Sequence, residues 1–171
     1  MSPPNLRIEP LPGYTPTIGR LVAMMTYARD TTLKAVEGLT VEQLDQLHDA
    51  TSNSIGALLA HLVAVERVYQ MLTLEERSPT AEENAALGAG LALGDEGRRL
   101  LRGEPLAHYL DAMAATRRVT LDALATRTDG WLEQPMKVMP AMNAHWAWFH
   151  VCEDEINHRG QIRWLRARLP K

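Results

Sequence analysis

The stretch SIGALLAHLVAVERVYQML, residues 54–72, decides the fold. Its apolar residues Ile55, Leu58, Leu59, Leu62, Val65, Val68, Tyr69 and Leu72 recur at the 3.6-residue spacing of a helical face. Ser54 stands where an N-cap side chain accepts a hydrogen bond from the first turn. Within Leu58–Val65 one polar residue, His61, interrupts the apolar run. The pattern ends in the charged stretch Glu75-Glu-Arg77 before Ser78-Pro79.

Three further long segments carry the same period, and none alternates convincingly like a strand, so the expected class is all-α. Upstream, Thr17–Glu37 places Ile18, Leu21, Val22, Met25, Ala28, Thr32, Leu33 and Val36 on one stripe that stops at Gly38. The capping-box spacing Thr40-Val-Glu-Gln43 then predicts a short helical turn through Leu47. Downstream, Thr80 to Gly103 is rich in Ala, Gly and charge, with a second box at Thr80-Ala-Glu-Glu83, and reads as a long crossover with short helices. Pro105 suits a first helical turn, and Leu106, Tyr109, Leu110, Met113, Val119, Leu121 and Leu124 carry the next helix to about Arg127, where Thr128-Asp-Gly130 turns the chain. After a proline-punctuated loop from Pro135 to Met142, Asn143 can cap a final helix reaching Leu169, with Pro170 as its stop.

The chain has 171 residues, 46% of them hydrophobic, enough for one buried core, so a single domain over 1–171 is expected with residues 1–15 as a proline-rich N-terminal arm. A net charge of −3 gives no overall attraction to phosphate backbones or anionic lipid, and neither nucleic acid nor membrane is expected as a partner. Arg159, Arg163, Arg166, Arg168 and Lys171 gather where cations complement the last helix's dipole; contact with DNA or RNA is the competing reading. The start has no apolar h-region, and no later stretch reads as the roughly 18 apolar residues of a membrane span, so a cytoplasmic location is expected. The lone Cys152 lies in an apolar run and reads as a packed thiol.

The chemistry lies on the last helix, Asn143-Ala-His-Trp-Ala-Trp-Phe-His150-Val-Cys-Glu-Asp154-Glu-Ile-Asn-His158-Arg-Gly-Gln161-Ile. Asp154 and His158 share a face, with Cβ atoms about 6 Å apart, close enough to hold one ion at roughly 2.0–2.2 Å from each donor. The face through Ala147, Val151, Asp154, His158, Ile162 and Leu165 is apolar except at those two positions. Burying an unpaired carboxylate is costly, and a cation removes that cost. His61 is the natural third donor. Spacing alone equally allows a local Asp–His salt bridge and a hydrogen-bonded core histidine. His150 precedes Asp154 by the interval at which His158 follows it, but His150 and His158 are about 12 Å apart along the axis and cannot both converge with Asp154; His150 is read as standing beside the site or as structural. Glu66, Glu153, Glu155 and Gln161 read as exposed or structural polar residues that could support the ligands. Gly160 reads as a point of close helix approach, and the tryptophans near the last helix suit core and interface alike.

The stretch Ser54–Glu66, taken with Asp154-Glu-Ile-Asn-His158-Arg-Gly-Gln161-Ile, resembles the two signatures of the DinB-like (YfiT-like, damage-inducible) superfamily of four-helix-bundle metalloproteins, and the resemblance covers most of the chain. It implies an up-down-down-up four-helix bundle with a long crossover between helices two and three, a homodimer, and a divalent metal held by His61, Asp154 and His158. The commonest version has three histidines. Asp154 instead resembles the carboxylate branch that includes mycothiol-dependent maleylpyruvate isomerase, which usually has Glu there.

Three protein donors leave coordination positions open for exchange. The resemblance therefore implies a transferase or isomerase that joins a low-molecular-weight bacterial thiol, bacillithiol or mycothiol, to an electrophile in detoxification or stress response. Zinc or nickel is the expected metal, with iron and manganese as alternatives. A non-catalytic metal-binding stress protein is the alternative function. A non-haem iron oxygenase is a third reading, from two His and one carboxylate.

Overall fold

The computed structural model describes residues 7–170. Eight helices occur in them: α1 Pro16–Val36, α2 Val41–Asp45, α3 Ile55–Thr73, α4 Ala81–Ala92, α5 Gly94–Leu100, α6 Leu106–Leu124, α7 Asp129–Leu132 and α8 Ala144–Arg166. No strand forms among the described residues; Pro135 and Asn143 make an isolated bridge, and Met136 N–H donates to the Met142 carbonyl at 2.8 Å. Pro3 and Pro4 of the N-terminal arm lie outside the described residues.

The caps fall where the side chains place them. Ser54 Oγ accepts from Ala57 N–H at 3.1 Å, and Asn143 Oδ1 from Trp146 N–H at 2.8 Å. Both capping boxes close: Thr40 with Gln43 and Thr80 with Glu83 satisfy each other's backbone donors. α2 is shorter than expected, with Gln46 already its C-cap, and α8 stops before Leu169. Pro105 is the N-cap residue of α6 and lies outside its first turn, while Thr128–Gly130 opens α7 as well as turning the chain.

α1 packs on α8, α8 on α3, α3 on α6, and α6 closes on α1; α4 lies along α3. The core divides into a cluster around Leu58, Leu59, Met113 and Ile162 and another around Ile18, Met25, Leu124 and Trp148. One expected core position fails outright, Val119 at 48% exposed, and Leu33, Val65, Val68, Tyr69, Leu106, Leu110 and Leu121 are only partly buried. The inward row of α6 is Tyr109, Met113, Arg117, Thr120 and Leu124, which a purely apolar stripe cannot reveal because two of its members are polar.

By length and composition α3 is apolar enough to cross a membrane, with a mean hydropathy of 1.3, which corrects the expectation that no stretch is. Two-thirds of that window is buried inside the protein, so packing accounts for its character. Leu11 and Tyr14, from the end of the arm, pack on the core. The backbone at Leu11 runs so close to α1 that a Cβ on Gly19 would meet Leu11 N at 2.8 Å.

Candidate metal centre

His61 sits two turns into α3, while Asp154 and His158 face it from adjacent turns of α8. His61 Nε2 lies 3.5 Å from Asp154 Oδ2, and His158 Nε2 lies 3.3 Å from Asp154 Oδ1. The two imidazoles meet edge to face, with centroids 4.6 Å apart. One donor atom from each of the three residues falls within 4.8 Å of the others. The structure thus gathers all three predicted donors, and their side chains keep 12–15% of their surface exposed, a narrow opening to solvent.

The proton on His61 is fixed by the crossover. His61 Nδ1 is 2.9 Å from the Gly90 carbonyl of α4. A carbonyl only accepts, so Nδ1 carries a proton, and Nε2 is the ring nitrogen that faces Asp154. α4 can come this close because residue 90 has no side chain: a Cβ there would stand 3.0 Å from Ala64 Cβ and 3.3 Å from the Ala60 carbonyl.

Burial opposes charge on Asp154, but the imidazoles of His158 and His61 beside it outweigh burial and hold the carboxyl well below the usual carboxylate range. Burial also pushes His61 down, and its bonds to Asp154 and Gly90 reverse this, leaving it raised. Even so, Asp154 Oδ2 and His158 Nδ1 are buried without a hydrogen-bond partner. Two imidazoles and a carboxylate, with orphaned acceptor capacity between them, fit a divalent cation, which takes these donor types and supplies the missing charge.

Next to this triad lies an arrangement that the sequence reading missed. Each long helix contributes one charged residue to a closed ring: Arg29 from α1, Glu66 from α3, Arg117 from α6 and Glu155 from α8, all at most 8% exposed. Arg29 Nε donates to Glu155 Oε1 at 2.8 Å and its Nη2 to Glu66 Oε2 at 3.2 Å. Arg117 Nε donates to Glu66 Oε1 at 2.8 Å and its Nη2 to Glu155 Oε2 at 2.9 Å. The remaining Nη1 groups reach the Met113 and Met25 carbonyls. Thr120 adds a hydroxyl to Glu66 at 2.7 Å, and Gln70 donates to Thr120 at 2.9 Å. Glu66 and Glu155 are therefore structural but fully buried. Glu153 and Gln161 are exposed, as expected.

His150 stays apart from the triad, stacked on Trp146 at 5.0 Å and paired with Glu153 at 3.3 Å. Cys152 is a free, buried thiol whose pKa burial pushes up. Arg159 bonds Thr31, and Arg166 donates to the Ala35 carbonyl at 2.9 Å, so two of the C-terminal cations fasten α8 to α1. Trp148 is core, whereas Trp146 and Trp164 are 45% and 44% exposed. Gly160 corrects the expectation of close approach, because a Cβ there would have nothing within 4 Å.

Fold and site together define a helical-bundle protein with a clustered, partly buried group of two histidines and one carboxylate. Within that class the chain belongs to the Mycothiol-S-transferase family, whose model matches residues 20–170, from the first long helix to the end of the last. This agrees with the resemblance to the DinB-like superfamily and to its mycothiol-dependent members. No curated protein matches the chain significantly.

Proposed function

We propose that the protein is a metal-dependent transferase that joins mycothiol, through its sulfur, to an electrophile. The observation that carries this is the convergence of His61, Asp154 and His158 from two helices within 4.8 Å, in a chain of a thiol-transferase family. A divalent ion, zinc or nickel, bound there supplies the positive charge that makes a thiol acidic enough to exist as thiolate at neutral pH. His61 and His158 present nitrogen donors to it, and Asp154 contributes the single negative charge that keeps the centre cationic once loaded. Gly90 holds the His61 tautomer that leaves Nε2 free. The apolar residues packed around α3 and α8 exclude water from the inner side of the donors. Mycothiol, rather than bacillithiol, follows from the family.

The test is elemental analysis of chelator-washed, metal-reconstituted protein beside His61→Ala and His158→Ala, followed by a transfer assay with mycothiol and an alkyl halide. About one equivalent of metal in the parent, lost in both variants together with activity, is the expected result. Equal metal content in all three proteins removes the site. A loaded parent that transfers nothing leaves a metal-binding protein without this reaction.

A further inference from the structure

The segment leading into α3 and the outer part of α8 line an open groove of about 540 Å³. From α8 come Asn157, Gly160, Gln161 and Trp164, spaced so that they share one helical face, and from the other side come Thr51 and Asn53. Asn157 immediately precedes His158, and Gly160 and Gln161 follow it closely, so the groove is built on the same helix as Asp154 and His158, on a neighbouring face.

Four features make this a built surface. Gly160 has ordinary helical backbone and open space where a Cβ would stand, so neither packing nor conformation calls for glycine, while helix propensity counts against it. Its missing side chain leaves the α8 backbone open to whatever enters the groove. The Trp164 indole is 44% exposed yet held: the Arg168 guanidinium lies 3.9 Å from its centroid on one face, and His48 meets it edge-on at 4.6 Å. The Asn157 and Gln161 amides bond to no other described residue, and Asn53 uses its oxygen on Gly94 N–H while keeping its NH₂ group. The opposite wall is rigid, since Arg98 donates to the Thr51 carbonyl at 2.9 Å and Asp49 Oδ1 accepts from the backbone N–H groups of Thr51 and Ser52 at 2.8 Å.

No ionisable side chain lines the groove, which makes it a poor seat for phosphate, carboxylate or a charged peptide. An indole face flanked by amides and hydroxyls suits a neutral ring that carries many hydroxyl groups. We propose that this groove binds the sugar and cyclitol end of the thiol cosubstrate, with Trp164 as the stacking platform, Asn157 and Gln161 as hydroxyl partners, and Gly160 as the clearance that admits the ring. The assignment rests on the mycothiol reading for the identity of its ligand, and the chemistry of the groove alone indicates a neutral polyhydroxylated ring.

Two arms test it on the metal-loaded full chain. N-Acetylglucosaminyl-inositol, which is neutral and lacks the thiol, is titrated calorimetrically into the parent, Trp164→Ala and Gly160→Gln. Mycothiol transfer kinetics, bound metal and Tm are then measured for the same three proteins. The groove predicts that the fragment binds the parent and that both variants weaken it. It also predicts that both raise KM for mycothiol by about tenfold or more with kcat and metal content kept. Gly160→Gln should keep or raise Tm, because glutamine is the better helix former, so its loss of binding is not loss of folding. An unchanged KM in both variants, or a fragment that binds none of the proteins, overturns the groove and leaves the metal-centred transfer standing. A fragment that binds the parent, in a protein that does not turn over mycothiol, upholds the groove and removes the transferase reading.

Discussion

At the scale of single residues, the three candidate donors stood out in the sequence because each is a polar residue at a position where periodicity demands an apolar one. His61 breaks the run Leu58–Val65, and Asp154 and His158 break the inward face of α8. Gly90 was not legible, since nothing local says that its carbonyl faces an imidazole on another helix. Its function is nevertheless testable. Gly90→Ala sets a methyl 3.0 Å from Ala64, so α4 must give by a few tenths of an ångström and the bond to His61 lengthens. Metal affinity should fall roughly 10- to 100-fold, the usual effect of losing an outer hydrogen bond to a ligand, while Tm of the metal-free protein changes little; competition with a fluorescent chelator measures the first quantity and a thermal melt the second. Arg117 is the opposite case. Replacing it by Met leaves Glu66 and Glu155 short of donors in a buried site and should cost about 3–5 kcal/mol in denaturant unfolding. Substituting all four ring members by apolar residues of similar volume should cost less than this single change, because no unpaired charge is left behind.

At the scale of elements, the caps and long helices were readable because they are encoded within a few residues: Ser54 before α3, Asn143 before α8, and Thr40 and Thr80 with their partners three residues on. The start of α1 was not. Its N-cap residue Thr15 makes no side-chain cap; instead Asp129, at the start of α7, accepts from Thr17 N–H at 3.0 Å, Ile18 N–H at 3.1 Å and the Thr15 hydroxyl. A cap supplied from the far end of the chain leaves no local signature. These bonds, led by the Thr15 hydroxyl, lower the Asp129 carboxyl to about 2, against an ordinary value of 3.8. A depressed carboxylate stabilises the fold above its unfolded pKa, and the contribution disappears as pH falls through the folded one. Asp129→Asn should therefore lower Tm at neutral pH, and the gap between variant and parent should close between pH 3.8 and about 2 in melts run as a pH series.

At the scale of the whole molecule, the four-charge ring explains why a reading of apolar stripes recovered the helices but not all of their rotations. Arg29, Glu66, Arg117 and Glu155 look like solvated residues one helix at a time, and only the assembled bundle makes each the partner of two others. Val119 was assigned to the core for the same reason, since Arg117 and Thr120 hold the inward positions beside it. The contact between His61 and Gly90 extends this interdependence to the crossover. Coupling between two equilibria is reciprocal: whatever order α4 lends to the imidazole, an ion on that imidazole must return to α4. Loading the protein with metal should then slow amide hydrogen exchange across Ala81–Ala92 more than across the solvent-facing turns of α6, and a single proteolytic cut in the crossover should weaken metal binding without touching a ligand. The crossover would then act as a built-in gauge of occupancy, registering the ion through a stretch of chain that never contacts it.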